Sequence, residues 1–542
     1  MTNTKRRSWL AASTLLKYSI TVLFILLNLL RGKTLPSLLG GCELIIAILV
    51  TEFLLHRKRA LGIIWNILTV LLINAELTIL MFSGTFLEMI MLSNLDSLAA
   101  LSGRGLTYAA FGTLAVLGGL LPVTSLEQAR LRRPICAGII TALLAVDIGF
   151  CVAGVEGPLA SLYGLGRSAY QHVQLTAEIS RKQESDADTR PLARFERSTV
   201  GDYVARPEAL SERPNIVLIF TEGLSQHIIE DERDIMPNLR AFEAESMTFE
   251  RYFDHTAATY RGLIGQLFSG HQFNNTDANQ LISLQSILQD QGYHTAFLNA
   301  EPGNDEFSAY LRNMGFDQVI DGPQPISTDK EMYELMYQTL AAAGDEPQLL
   351  AMYTYWTHVS YDSPDIIYGD GSDRLLNKFH NADAQFGHFM AQLRESGLSK
   401  DTIVAFTADH ATYSDDDFQH TFGSVLTRDD TFCDRIPLFI WYEGVTPSAI
   451  DAGGRNSLGL APTLLDFLDI DAPNYFLGNS LFQADLSPQE WLVNTTFAVP
   501  ESSDWKRRTA DGVICGLALT EMLEMNELLT DYFACSLPLA DE

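Results

Sequence analysis

Residues 402–415 read TIVAFTADHATYSD. A short apolar, β-branched run breaks off abruptly at Asp409-His410, which is the pattern of a buried strand with a polar pair at its carboxyl end. The pattern recurs upstream. NIVLIFTEGLS at 215–225 ends its apolar run on Glu222, and LLAMYTYWTH at 349–358 reaches His358. HTAFLNA (294–300) and IPLFIWY (436–442) are further strand-like runs. Between them lie MPNLRAFEAE, SLQSILQDQ, DEFSAYLRNMG, KEMYELMYQTLAAAG and NKFHNADAQFGHFMAQLRES, all with helical spacing. Strands interleaved with amphipathic helices predict a largely parallel sheet covered by helices on both faces. Ligand sites of such sheets lie beyond the carboxyl ends of the strands, where Glu222, His358, Asp409 and His410 fall together. HTAATYRGLIGQLFSG (255–270) adds Thr259 at the start of an apolar helix, whose N-terminus favours an anion. Carboxylate, imidazole and hydroxyl form a ligand set for one divalent ion, Zn²⁺ or Mn²⁺. Each residue also has a plainer reading: Thr259 as a helix cap, Glu222 as a solvated strand-end acid, Asp409-His410 as a chance pair. Their common place on one edge is the specific signal.

The first part of the chain has a different character. The protein has 542 residues and a formal net charge of −30. Residues 1–155 hold 13 Lys and Arg against 7 Asp and Glu, leaving 24 and 60 for the rest. A mildly basic apolar part followed by a strongly acidic one reads as a membrane anchor plus an external domain. The acidity disfavours nucleic acid as a partner. Five apolar runs, at about 9–30, 36–55, 61–82, 107–123 and 134–155, are candidates to span a bilayer core of roughly 30 Å. No cleavable signal pattern is evident, so the first run is expected to persist as a helix. Lys5, Arg6 and Arg7, then residues 56–59, then Arg130, Arg132 and Arg133 mark the inner side, against Arg31, Lys33 and Arg104 outside. This places the N-terminus inside and everything after Val155 outside.

Glu43, Glu76 and Asp147 fall within these runs, each about 10 Å below the outer end at 1.5 Å per residue. Two readings stand: acids protonated or bonded to nearby hydroxyl or backbone groups, or an acidic pocket for a cationic lipid head group. Residues 156–213 read as a juxtamembrane linker, its later part, SRKQESDADTRPLARFERS, being charged and without apolar period. Cys42, Cys136 and Cys151 lie in apolar stretches. Cys515 and Cys535 could pair in an oxidising compartment, which leaves Cys433 odd.

Taken in order, NIVLIFTEGLS, the Thr-led helix, residues 283–322 (SLQSILQDQGYHTAFLNAEPGNDEFSAYLRNMGFDQVIDG), YTYWTHVSYD, FTADHATYSD and SLGLAPTLLDFLDIDAPNYFLGNSLF resemble the sulfatase-like branch of the alkaline phosphatase superfamily. Within it the chain is similar to membrane head-group transferases of the lipoteichoic acid synthase, phosphoglycerol transferase and phosphoethanolamine transferase types. The resemblance implies Glu222, Thr259, Asp409 and His410 as metal ligands, Thr259 as nucleophile, and His358 and His420 as phosphate-binding histidines. Two departures stand out. Sulfatases carry a modified Cys or Ser in C-x-P-x-R, where this chain has Thr259-Tyr260-Arg261. The Trp-x-Arg of lipoteichoic acid synthases is replaced by NDEFSAYL, with Asp305 and Glu306.

The expected division is a five-helix transmembrane domain (1–155), the linker (156–213), a sulfatase-like catalytic domain (214–485) and a C-terminal extension (486–542). The expected activity is transfer of a phospho-head group, phosphoethanolamine or phosphoglycerol, from a membrane phospholipid to a glycan or lipid acceptor outside a bacterial inner membrane, through a phospho-threonine. Asp305, Glu306 and Arg261 are candidates for substrate contact, and the acidic residues tilt the head group towards ethanolamine. The rivals are a phosphodiesterase or sulfatase-like hydrolase on the same site, and a non-catalytic membrane scaffold. Protein partners are not legible.

Overall fold

A computed structural model describes residues 3–87, 91, 105–125, 133–184, 191–273, 278–359, 361–423, 433–483, 488–494, 505–509 and 512–538. The expected topogenic residues Arg104, Arg130 and Arg132 lie outside them. The chain divides into two compact units, Met1–Val173 and Gln174–Glu542.

The first unit is helical: α1 (Asn3–Leu30), α2 (Thr34–Arg57), α3 (Arg59–Ser83), α4 (Gly105–Leu120), α5 (Arg133–Val152) and the start of α6 (Ala160–Gln183). By length and composition four helices can cross a membrane, at 8–30, 34–57, 59–83 and 134–152. The fourth expected run makes only the 16-residue α4, about 24 Å long against a core of roughly 30 Å. It stops at Leu120 because Pro122 offers no N–H and disfavours helix at the residue before it. Lys17 of α1 finishes that end, its Nζ donating to the carbonyls of Gly119 (2.6 Å) and Leu121 (3.1 Å). A buried cation on a helix C-terminus satisfies both the charge and the orphan carbonyls.

Backbone groups likewise answer two of the intramembrane acids. Glu43 accepts from the N–H groups of Leu159 (2.8 Å) and Ala160 (3.1 Å), and Glu76 from Leu87 (2.9 Å). This matches the first of the two readings for those residues. Asp147 lies near Glu43, both carboxylates facing Gly157. The segment expected as linker holds helix α6.

The second unit is built on an eight-stranded sheet in the order β4-β3-β5-β1-β6-β7-β2-β8. The strands are β1 (Asn215–Thr221), β2 (Met247–Glu250), β3 (His294–Asn299), β4 (Gln318–Asp321), β5 (Gln348–Thr354), β6 (Thr402–Ala408), β7 (Leu438–Trp441) and β8 (Ser448–Asp451). From β4 to β6 the neighbours run parallel, and β7 is antiparallel to both its neighbours. The central strands are buried throughout, as their unbroken apolar sequences require. In register, Thr221 pairs with Thr354 on one side and Ala408 on the other. The chain therefore leaves β1, β5 and β6 at one level, with Glu222 and Asp409 as the next residues.

Residues 488–538 add a three-stranded sheet of β9 (Leu492–Asn494), β10 (Trp505–Arg508) and β11 (Ile514–Gly516), and a C-terminal helix, Leu519–Ser536. Cys515 and Cys535 are not joined by a disulfide. Arg508 of β10 is wholly buried against Asp254, donating to its carbonyl (3.0 Å) and its Oδ1 (3.1 Å) and lying over the Phe253 ring. Breaking such a pair strands a buried charge, at a cost of about 3–5 kcal/mol. Arg508→Ala should lower the thermal midpoint of the full-length protein by several degrees in detergent. Calorimetry that finds an unchanged midpoint would show the pair to be structurally idle.

Candidate active site

Glu222, Asp409 and His410 converge at the carboxyl ends of β1 and β6, all buried, with ligand atoms within 4.8 Å of one another. His410 Nε2 lies 3.3 Å from Glu222 Oε1 and 3.4 Å from Asp409 Oδ2. Its Nδ1 sits 2.8 Å from the Ala411 carbonyl, so Nδ1 carries the proton that donates there and Nε2 faces the carboxylates. Tyr413 stacks flat on the imidazole at 4.8 Å. Asp409 Oδ1 accepts from the N–H groups of Gly223 (2.9 Å) and His410 (2.8 Å). Asp409 Oδ2 is buried and has no hydrogen-bond partner among the described residues.

Two buried carboxylates around one imidazole nitrogen need a positive charge, which a proton or a cation supplies. Burial would lower the His410 pKa, but the Asp409 and Glu222 carboxylates override it and raise it to about 10. Burial, with Glu222 next to it, pushes Asp409 up to about 8. The orphan Oδ2, the outward Nε2 and the carboxylate pair fit one divalent cation held by Glu222, Asp409 and His410.

Thr259 opens helix α7 (Thr259–Phe268), and its hydroxyl donates to Glu222 Oε2 at 3.0 Å. The same oxygen accepts from Tyr353 at 2.5 Å, and Thr357 donates to the Glu222 carbonyl at 2.6 Å. Helix α7 can reach this point because residue 262 is glycine: a Cβ there would lie 2.3 Å from the Asp409 carbonyl oxygen. The backbone of Asp409-His410 is fixed from behind. Asp254, held by Arg508, accepts from Ala411 N–H through Oδ2 at 3.2 Å.

A cleft opens from Glu222 and His410. Thr357 and Val359 line it, on either side of His358. The His358 ring stacks on Tyr355, its Nδ1 is 3.0 Å from the Val359 carbonyl, and burial lowers its pKa, giving a neutral imidazole. His420 is exposed on the last turn of the helix Asp416–Phe422 and does not line this cleft. Arg261 is buried, donates to the Phe273 carbonyl and lines a separate cavity with His255, His271 and Trp505. Asp305 is exposed and Glu306 half-buried, both in the first turn of α8 (Asp305–Arg312), where they complement the helix dipole.

Tyr353, Tyr413, Gly262, Asp254, Glu301 and Lys378 escape sequence reasoning. Glu301, just past β3, is a buried acid whose pKa is raised to about 8 by burial and by Glu222. Lys378 left a visible signal, a lysine on the apolar face of its helix. The tyrosines and Asp254 left none, since their partners come from other elements.

Removing either carboxylate halves the charge that can hold a cation. Full-length Glu222→Ala and Asp409→Ala should purify without stoichiometric Zn or Mn by elemental analysis, whereas wild type retains about one ion. Full occupancy in either variant would contradict the assignment.

Residues 214–470 match the Sulfatase family model. The chain is 24% identical over 427 residues to phosphoglycerol transferase I of Xanthomonas axonopodis pv. citri, covering 70% of this chain and 55% of that protein. It is 23% identical to the lipoteichoic acid synthase-like YvgJ of Bacillus subtilis, covering 60% and 59% respectively. The chain thus spans little more than half the length of these relatives. The lipoteichoic acid synthase LtaP from Listeria monocytogenes superposes with a TM-score of 0.51 at 17% identity, over 65% of this chain and 99% of that structure. Residues 214–470 therefore resemble the Sulfatase family, and the second unit shares its fold with LtaP.

Proposed function

We propose that the protein transfers a phospho-head group from a membrane phospholipid to an acceptor hydroxyl, with Thr259 as nucleophile. The observation that carries this is the Thr259 hydroxyl, 3.0 Å from Glu222 Oε2 beside a carboxylate pair that needs a cation. A divalent ion held there would lower the pKa of a neighbouring hydroxyl and offset the charge that develops on the phosphoryl group. Thr259 gives up its proton, with Glu222 Oε2 positioned to take it, and its Oγ bonds to phosphorus. The bond from phosphorus to the diacylglycerol oxygen breaks, and that oxygen takes up the proton that Thr259 released. The N-terminal N–H groups of α7 face the resulting phosphoester. An acceptor hydroxyl then gives up its proton as it attacks the same phosphorus, the bond from phosphorus to Thr259 Oγ breaks, and Oγ takes up that proton. Four membrane-length helices before the domain support a phospholipid donor; the acceptor is read as a glycan or lipid outside a bacterial inner membrane with the shorter α4 as a fifth crossing, which keeps the count odd.

For the head group, the relatives favour glycerol: phosphoglycerol transferase I is a named relative. The supports for ethanolamine are weaker in three dimensions. Asp305 is an exposed helix-start residue, and Glu43 and Glu76 are engaged by backbone N–H groups.

Single-turnover assays with phosphatidylglycerol and phosphatidylethanolamine should release diacylglycerol faster from the former. Thr259→Ala should keep its fold and lose turnover by about a thousandfold or more, as removal of a covalent nucleophile requires. Mass spectrometry of briefly exposed wild type should find the head-group phosphate on Thr259. An adduct on Thr256 would move the role upstream, and release with no adduct and only water as acceptor would turn the reading to a hydrolase. A reporter fused at the C-terminus should respond as extracytoplasmic, and an inactive but stably expressed fusion would overturn the location.

A further inference from the structure

Helix α9 (Arg374–Ser396) carries Leu375, Phe379 and Ala382 on its buried face, and Lys378 lies among them, 4% exposed. Lys378 lines the cleft that opens from Glu222 and His410. Its Nζ donates one hydrogen bond, to the carbonyl of His358 at 3.2 Å, and lies 5.5 Å from the centre of the Phe379 ring. Among the described residues no carboxylate comes within ion-pair distance of it. Asp417, which also lines the cleft, is engaged by Arg374 at 3.4 Å. Burial pulls the Lys378 pKa down to about 8, against the more distant Asp415, Glu222 and Asp417.

A buried ammonium with a single neutral acceptor is poorly compensated. It has three donors and the carbonyl uses one. A ligand that enters through the cleft completes it best if it brings several acceptor oxygens and negative charge. A glycerol hydroxyl supplies no charge, and an ethanolamine ammonium supplies the wrong sign. A phosphoryl group supplies both requirements. The adjacent carboxylates would repel that phosphoryl group unless cations flank it, and Lys378 places a cation on the wall of the same cleft.

We propose that Lys378 is a catalytic residue that grips the phosphoryl oxygens of the substrate while Thr259 attacks. This rests on the phosphoryl-transfer reading above, and adds a protein-borne cation to whatever charge the carboxylate site holds. The competing account makes Lys378 a strut that only fixes the His358 carbonyl. Lys378→Gln separates the two, since its amide can still donate to that carbonyl but brings no charge.

The experiment uses full-length wild type, Lys378→Gln, Lys378→Met and Lys378→Arg in detergent. Metal content is verified equal, and inorganic phosphate affinity is measured by calorimetry. A charged hydrogen-bond donor to an anion predicts roughly tenfold or greater weakening for Gln and Met, with partial recovery in Arg. Diacylglycerol release from phosphatidylglycerol should fall in kcat more than in KM, with the same order of variants. Phosphate affinity and kcat unchanged in Lys378→Gln would leave the strut account and overturn the proposal. If Lys378→Met fails to fold, the Gln and Arg variants decide between the two accounts. Should wild type release diacylglycerol from neither lipid yet bind phosphate through Lys378, the transfer reading fails and the anion grip stands.

Discussion

Two carboxylates, Glu222 and Asp409, are delivered side by side into a water-poor interior, and they must share a positive charge. Everything near the sheet edge is arranged around that demand. The parallel pairing of β1 with β6 places both acids one residue beyond matched strand ends. His410 adds a nitrogen, Nε2, that faces both acids and the Tyr413 hydroxyl while its Nδ1 is fixed on the Ala411 carbonyl. Asp409 Oδ2, with no hydrogen-bond partner among the described residues and His410 Nε2 3.4 Å away, marks the side on which a cation would sit.

The surroundings hold this arrangement still. Gly262 lets the first turn of α7 rest on the Asp409 backbone, which brings the Thr259 hydroxyl to Glu222. Tyr353 and Thr357, from β5 and the loop after it, hold the carboxylate and the carbonyl of Glu222. Arg508, more than 90 residues beyond His410 in sequence, fixes Asp254 and through it the Ala411 amide. Residues past the matched domain therefore reach the backbone of the Asp409–Ala411 segment through one buried ion pair.

How much of this the sequence disclosed follows from the range of the interactions involved. The strands of the sheet centre are unbroken apolar runs, and Glu222, Asp409 and His410 sit where those runs stop, so local pattern alone places them on one edge. Thr259 is legible as the start of an apolar helix. Tyr353 and Asp254 are not, because nothing in their own segments reveals a partner from a different strand or from β10. His420 and Arg261 illustrate the reverse. Their spacing from His410 and Thr259 is suggestive along the chain, yet one lies on an exposed turn and the other lines a separate cavity. The fourth apolar run continues to Val123, whereas its helix ends at Leu120. Hydropathy registers neither the backbone effect of Pro122 nor the cap that Lys17 supplies from another helix.

The central claim is that the Glu222–Asp409–His410 cluster holds a divalent cation through one imidazole and two carboxylates. X-ray absorption at the metal edge, on full-length protein loaded with Zn²⁺ or Mn²⁺, measures this directly. The account predicts a shell with one imidazole nitrogen, seen by its outer-ring scattering, and otherwise oxygen neighbours at about 2.0–2.2 Å. The imidazole signal should vanish in His410→Ala. A spectrum made only of water-like oxygens, or one that His410→Ala leaves unaltered, would contradict it.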